Sequence, residues 1–465
     1  MKNKFRHIVM VFLTCLIFFG SYNTTLMQAA IPQGFDGFLR IGLEQHFLNR
    51  EQINIYSQNI EVGLFIDGEF FVMQTINSHT HFTAMAGYGG IVLMADGAVV
   101  FVADNPGLNL QLRCVSGITN LGVRQYRGII EFGQFNTNGI TAVNIVHMDE
   151  YLFSVVPSEM PALWHIEALK AQAVAARTFA MNRLSSPRTA NYSLCDTVFS
   201  QVYSGVDREH PNTTQAVIET SGLVLMHNGR LISAWYSSCA GGFTANSEDV
   251  WASVEPFARA VPELYPSSLA DWERTITHAQ LQQLLTAQNI HIGAVQSVEL
   301  HKNNIRRVMQ FRIIGNSGTH TLERENIRSF FGSLEIGGGS LRSRVFTIAG
   351  QGTQPLNEQF AISAGGTFAV DLRNVFVISA FGTDTTNMPN SVISAQGVRL
   401  LSTAHTPNTT NIVSTSDYSF TLVGQGFGHG VGMSQHGARA MADNGHSFDN
   451  ILRHYYTGID IVRAH

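Results

Sequence analysis

The sequence predicts an α+β protein organised around one long alanine-rich helix, and three features carry that expectation. Residues 37–146 break into short apolar runs punctuated by Gly, Asn and Asp, the pattern of short strands and tight turns. After Pro161 the spacing becomes helical: Ile166, Leu169, Ala173, Ala176 and Ala180 share a face built mostly of alanine, which lets another element approach the helix axis closely. Residues 349–420 are rich in Gly, Thr, Ser and Asn, yet contain alternating stretches such as Val375-Phe-Val-Ile-Ser379. They are expected to form a β-rich insertion.

Taken in order, strands are expected at Phe38–Leu43, Ile53–Tyr56, Val62–Ile66 and Val99–Val102. Tyr126–Phe132 and Thr141–His147 read as a hairpin turning at Asn136–Gly139. The long helix ends at Ser185-Ser186-Pro187, since proline cannot continue it. A helix at Thr214–Thr220 precedes strands Leu223–Met226 and Leu231–Tyr236, joined by Asn228-Gly229, a strong hairpin signal. Strands Ser297–His301, Val308–Ile314 and Ser343–Ile348 flank a short helix at Glu325–Phe331. Gly424–Ala438 is so dense in glycine that it must be a loop, and a helix follows to Tyr456. The chain thus divides into a leader (1–30), a β-rich N-terminal region (37–146), a core (147–348), the insertion (349–420) and a C-terminal return to the core (421–465).

Of 465 residues, 45% are apolar and only 14% charged, so a large core is available and wholesale disorder is not expected. The net charge is −5, with no run of five like charges. A polybasic footprint for nucleic acid is missing, and nucleic acid is not an expected partner. Lys2, Lys4 and Arg6 precede a thirteen-residue apolar run, Ile8–Gly20, short of the roughly twenty residues that span a bilayer. This is an export signal, either cleaved near Ala29-Ala30 or retained as a membrane anchor through residues 8–20. The body of the protein is expected outside the cytoplasm, in the cell wall or on the outer face of the membrane. Cys15 falls inside the apolar run; Cys114, Cys195 and Cys239 remain, none in a C-x-x-C pair. Zinc-ribbon spacing is absent, and a Cys195–Cys239 bridge cannot be read from sequence.

Three segments stand out for chemistry. The first is Asp149-Glu-Tyr-Leu-Phe-Ser-Val-Val-Pro-Ser-Glu-Met-Pro161, leading through Trp164 into Glu167-Ala-Leu-Lys-Ala-Gln-Ala-Val-Ala-Ala-Arg-Thr178. The second holds Gln201-Val-Tyr203, His210-Pro-Asn-Thr-Thr214, and Tyr236-Ser-Ser-Cys-Ala-Gly-Gly-Phe-Thr244 on to Trp251. The third is Gly424-Gln-Gly-Phe-Gly-His-Gly-Val-Gly-Met-Ser-Gln-His-Gly-Ala438. In this order and spacing they resemble the SpoIID/LytB family, that is, sporulation stage II protein D and the amidase enhancers. The similarity spans roughly residues 38–460, with 350–420 the least family-like.

The resemblance implies a SpoIID-like catalytic core and a peptidoglycan lytic transglycosylase acting on glycan strands without stem peptides, with Glu159 as its acid. One carboxylic acid protonates the leaving glycosidic oxygen at an oxocarbenium-like transition state. The muramic acid 6-hydroxyl then closes onto C1 and leaves a 1,6-anhydro end, so no second carboxylate is obligatory. Val155, Val156, Pro157, Met160, Pro161, Leu163 and Trp164 surround Glu159 in sequence, and an apolar setting raises a carboxyl pKa. Against this, the N-terminal end of the helix that follows would stabilise the carboxylate. On local sequence alone Glu159 reads first as a cap of that helix, a common use of acids in this position, and it is the resemblance that turns the reading to catalysis. The family also implies a rival role, a non-catalytic wall-binding protein that enhances an N-acetylmuramoyl-L-alanine amidase. A structural part in an export or sporulation complex is a third reading.

Lys170 and Arg177 match basic residues of the family's helix. Trp164 to Arg177 is about 20 Å along a helix, which favours a structural ion pair for Arg177 beside a strand-binding alternative. Lys170 is nearer Glu159 and suits the lactyl carboxylate of a peptide-free muramic acid; Glu167 is an equally good partner. Gln201, Tyr203, Ser238 and Thr244 are candidate cleft residues, and His429, Ser434, Gln435 and His436 lie in the glycine-rich loop. That loop is no phosphate loop, because no Gly-Lys-Ser/Thr follows. Some family members carry zinc near the Gln-Val-Tyr segment with a cysteine just before it. Ser200 holds that place here, so neither metal nor another cofactor is expected. Cys195, Cys239, His210 and His436 are the residues from which a metal site would otherwise be built.

Overall fold

The computed structural model describes residues 35–464, apart from 78–79, 88, 104–108, 136–138, 266–270, 304, 333–338, 350–357, 364–365, 372–376, 380–381, 385–390, 395–396, 401–409 and 414–418; between 351 and 418 it describes backbone strands alone. The expected leader, with Cys15, and most of the Asn136–Gly139 turn lie outside the described residues.

The N-terminal strands form a seven-stranded sheet in the order Leu194–Cys195, Phe38–Gly42, Thr141–His147, Ile129–Gly133, Leu110–Cys114, Ile60–Ile66, Glu69–Ile76. Its pairs are antiparallel except the short Leu194–Cys195 bridge, which runs parallel to Phe38–Gly42. The strand expected at Tyr126–Phe132 is split at Gly128 into Gln125–Arg127 and Ile129–Gly133. Gly128 has φ +72°, and a Cβ there would lie 2.3 Å from the Ile145 carbonyl oxygen, so the chain kinks where only glycine fits. A second antiparallel sheet holds Gln52–Ile55, Phe82–Gly87, Gly90–Ala95 and Ala98–Ala103.

Two helices follow. The first, α1 (Met148–Glu159), was not read from the sequence. The His147 side chain caps it by accepting from the Asp149 N–H, and Asp149 and Glu150 in its first turn suit the positive end of the dipole. Pro157 sits in the last turn, and Met160 is extended at φ −128°, ψ 140°, as the residue before Pro161 must be. The second, α2 (Ile166–Leu184), is the expected alanine helix. Its burial runs without a break from Ala171 to Met181, so it is wrapped on all sides rather than on one face. Alanine makes that possible: its neighbours are α1, the helices Pro211–Glu219, Gln435–Asp443 and Phe448–Tyr455, and the strands Leu223–His227 and Arg230–Leu231.

Asn228 (φ 50°) and Gly229 (φ 74°) make the expected tight turn, but its second strand is only Arg230–Leu231. Leu223–His227 also pairs with the terminal strand Asp460–Arg463. The helix expected to run to Tyr456 is two helices, Gln435–Asp443 and Phe448–Tyr455.

Two hydrophobic cores divide the chain at places the sequence did not indicate. One joins the N-terminal sheets, α1, α2 and the C-terminal helices, from Leu39 to Ile459. The other lies within residues 272–348 and 420–422. It joins the sheet Asp271–Thr277, Ser419–Gln425, Val345–Ile348 to the sheet Gly318–Glu323, Val308–Gly315, Val295–Lys302, Thr410–Val413. The helix His278–Ala287 closes it, begun by a capping box between Thr277 and Gln280. The core expected over 147–348 is therefore split between these two clusters, and the N-terminal strands share the first one with α2. Within 350–418 the described pairs are short hairpins, such as Glu358–Ser363 with Gly366–Asp371.

Candidate active site

A cleft of about 910 Å³ has one acid in its lining among the described residues, Glu159. Glu159 is the last residue of α1, which reverses the electrostatic expectation: it sits at the negative end of a helix, where a carboxylate is disfavoured, not at the positive end of α2. Burial raises its pKa above the ordinary carboxylate value, opposed by hydrogen bonds from the Val202 N–H and the Tyr236 hydroxyl. The Val202 N–H donates to Oε1 at 3.1 Å.

Behind the acid lies a relay of buried polar groups. Tyr151 donates its hydroxyl to Gln201 Oε1 at 3.1 Å. Gln201 Nε2 donates to the Tyr236 hydroxyl oxygen at 2.9 Å and to the Ala176 carbonyl at 3.3 Å. With its oxygen accepting from Gln201, Tyr236 is left to donate its own proton to Glu159. Gln201 thus supports the site from behind and does not line the cleft.

The glycine-rich loop forms the opposite wall. Tyr236-Ser237 pairs in parallel with Met433-Ser434, Cys239 and Phe427 exchange N–H and carbonyl bonds at 3.0 and 2.8 Å, and the Gly430 N–H donates to Ser237 Oγ at 3.2 Å. A Cβ on Gly432 (φ 72°) would stand 2.0 Å from the Trp235 carbonyl oxygen; the two strands approach this closely because no side chain intervenes. The alternate residues Phe427 and His429 are then presented to the cleft. The Val431 N–H donates to His429 Nδ1 at 3.0 Å, and burial, with nearby arginines, drops the His429 pKa to about 3. This histidine is neutral at physiological pH.

The rim is aromatic. Phe199 is 74% exposed, Phe427 54% and Trp251 40%, and all three line the cleft with Phe179, Trp235 and Tyr236. Trp235 and Trp251 lie 4.6 Å apart between ring centroids, and Trp251 is 5.0 Å from His429. Flat rings left half open at the mouth of a cleft offer faces for the apolar side of a sugar. Ser238 and Gln435 also line it.

Besides Gln201, five of the expected site residues are absent from the cleft lining. Lys170 pairs with Glu167 at 2.9 Å and Glu219 at 2.7 Å. Arg177 is buried against Asp149 at 2.9 Å and the Thr220 carbonyl at 2.8 Å, the structural pairing favoured from sequence. Tyr203 is in the core, donating to Asn144 at 2.7 Å. Thr244 accepts from the Val261 N–H at 2.8 Å, and Ser434 caps the helix Gln435–Asp443 while binding Glu263. Each is a short polar or charged group satisfied by protein, which sequence cannot tell from one that faces a ligand. Phe179, Arg183, Phe199 and Trp235 were missed because they lie just outside the motif segments, while Tyr236, Trp251 and Phe427 lie within them but carry no sign in sequence that their rings face a cleft.

Cys114, Cys195 and Cys239 are free and buried, so a Cys195–Cys239 bridge is not formed. Burial lifts the Cys239 thiol to about 12. Among the described residues no group of three or more His, Cys, Asp and Glu is arranged to hold a metal ion; Cys195 instead contacts the hydroxyls of Thr197 and Ser200 at 3.2 and 3.4 Å.

Residues 136–227, which contain α1, α2 and the Gln201 segment, match the family model described as SpoIID, stage II sporulation protein. The match gives the chain a SpoIID domain over these residues, and its relatives carry the amidase-enhancer and stage II sporulation protein D names. The chain is 32% identical to the amidase enhancer of Bacillus subtilis (strain 168) over 320 residues, 67% of this chain. It spans 40% of that relative's length. The stage II sporulation protein D of the same strain is 26% identical over 340 residues, covering 70% of this chain and 76% of the relative; that of Bacillus amyloliquefaciens is 28% identical over 343 residues. The family match covers Glu159 and its relay partners Tyr151 and Gln201, whereas the glycine-rich wall lies beyond residue 227.

Proposed function

We propose that the protein is an exported lytic transglycosylase that cuts the bond from N-acetylmuramic acid to N-acetylglucosamine in peptidoglycan strands lacking stem peptides. The observation that carries this reading is an aromatic-rimmed cleft in which Glu159 is the one acid among the described residues. Hydrolysis of a glycoside ordinarily uses two carboxyl groups, one to protonate and one to attack or to activate water. A lone acid suits a reaction whose nucleophile belongs to the substrate. Glu159 gives its proton to the glycosidic oxygen as the C1–O bond breaks, and the GlcNAc 4-hydroxyl leaves. The muramic 6-hydroxyl bonds to C1 and passes its proton to the Glu159 carboxylate, which restores the acid. Burial keeps that proton in place at higher pH than an exposed glutamate would.

Mass spectrometry of peptide-free strands after incubation tests it: 1,6-anhydromuramic ends are expected, and reducing ends formed with uptake of water would overturn it. The relative named amidase enhancer supports a second reading, in which the cleft binds strands and stimulates a cell-wall amidase. Intact strands together with faster amidase turnover are the outcome that favours this alternative.

A further inference from the structure

Two cations line the cleft, Arg183 and Arg328. Arg328 is already engaged, with Glu325 and the Leu341 carbonyl, the latter at 2.9 Å. Lys170 is held between Glu167 and Glu219. Arg183 has no carboxylate partner among the described residues. Its guanidinium lies over the Phe179 ring, 5.2 Å from the centroid, with both residues one turn apart on α2 and both lining the cleft. Phe179 holds the side chain at its stem and face and leaves the edge N–H groups unclaimed. A planar fork of donors so held is suited to bind a carboxylate by two charge-assisted hydrogen bonds.

Arg183 is also absent from the groups that act on Glu159, which are burial, the Val202 N–H and the Tyr236 hydroxyl. A guanidinium against the acid would hold it ionised and spoil proton donation. One set apart in the same cleft has no such effect. The acidic group of a peptide-free strand is the lactyl carboxylate on each muramic acid. A stem peptide converts it to a neutral, bulky amide.

We propose that Arg183 receives the lactyl carboxylate of a muramic acid bound in the cleft, and thereby selects strands whose stem peptides have been removed. The inference rests on the glycan reading above, so its test separates binding from cleavage. Glu159→Gln leaves strands uncut. Calorimetry on that variant would compare peptide-free glycan fragments with the same fragments after conversion of their lactyl carboxylates to methylamides. The acid form is expected to bind about tenfold or more tightly. Adding Arg183→Met should abolish the difference by weakening only the acid form; Arg183→Lys should keep part of it. Discrimination that is absent from the parent, or that survives Arg183→Met in a protein with an unchanged melt, would overturn the assignment. If wild-type protein cuts no strand while Arg183-dependent discrimination is present, the cleavage reading fails and the Arg183 assignment stands. If strands are cut but discrimination is indifferent to Arg183, cleavage stands and the assignment fails.

Discussion

The two hydrophobic cores meet at the cleft and contribute to it in different ways. The first is packed with small side chains around α2, where Ala171, Ala173, Ala175, Ala176 and Ala180 let six elements close on one helix. It supplies Glu159, Tyr236, Phe179 and Arg183. The second is packed with large rings, Trp272, Phe311, Phe331 and Phe346, and brings no acid to the cleft. It sends Arg328 into the cleft lining and, behind the wall, two buried guanidinium groups. Arg307 donates to the carbonyls of Phe243, Ala240 and His429 at 3.1, 3.4 and 3.4 Å. Arg344 donates to those of Asp249 and Val308 at 2.8 and 3.1 Å. Burial lowers the Arg307 pKa to about 9, which still leaves it charged at neutral pH. It clamps both strands of the glycine-rich wall, and a Cβ on Gly430 would come within 2.5 Å of it. One core thus holds the reacting group, and the other holds the shape of the wall facing it.

Breaking the first core's contribution gives the largest effect. Glu159→Gln keeps the shape and removes the proton, so kcat should fall about 10³-fold. The same variant tests the environment of the acid. Because the folded-state pKa is raised, the native protein binds the proton more tightly than the unfolded chain does. The stability this contributes is complete below the unfolded pKa and is lost as pH rises through the folded one. Glu159→Gln should therefore raise Tm relative to wild type at pH 7 and leave the difference near zero at pH 3. An equal shift at both values would mean that Glu159 is not buried as an acid.

Arg307→Met comes next. Three carbonyls lose a donor, at a cost of about 3 kcal/mol, and the wall that carries Phe427 and His429 is released. A drop in kcat/KM of about 10–100-fold is expected on peptide-free strands, with Arg307→Lys in between. Thermal melts and kinetics on both variants check this. Lost stability with unchanged turnover would reduce the second core to packing alone.

The smallest effect is expected from Lys170→Met. Its two ion pairs are partly solvated, so about 1 kcal/mol or less should be lost, with KM unaltered. A rise in KM on peptide-free strands, absent on their methylamides, would return the lactyl role from Arg183 to Lys170.

The legible parts of the fold were those with local causes. Phe38–Gly42 and Ile60–Ile66 announce themselves by apolar runs between turn residues, and Asn228-Gly229 by its demand for positive φ. The helix α1 was not legible although Tyr151, Leu152, Val155 and Val156 have helical spacing and are all buried; Pro157 lies in its last turn, so the break proline makes in the hydrogen-bond ladder falls where the helix ends anyway. The capping box at Thr277 and Gln280 was equally available as a start signal for His278–Ala287.

By itself the sequence determined that α2 would be a long helix and that an acid would stand between two prolines at 159; the loop expected over Gly424–Ala438 is confined to 426–432, because Gly424-Gln425 ends one strand, Met433–Ser434 forms another and Gln435 starts a helix. Such features depend on residues a few positions apart, through backbone dihedrals and periodic burial. Only the tertiary structure decided that Glu159 ends a helix instead of preceding one, that Lys170 and Thr244 are spent on protein partners, and that Arg183 is not. The reason is distance along the chain. The groups that neutralise, bury or expose a polar side chain come from far away, as Arg307 meets the His429 carbonyl across 122 positions, and no local pattern records which of them will arrive.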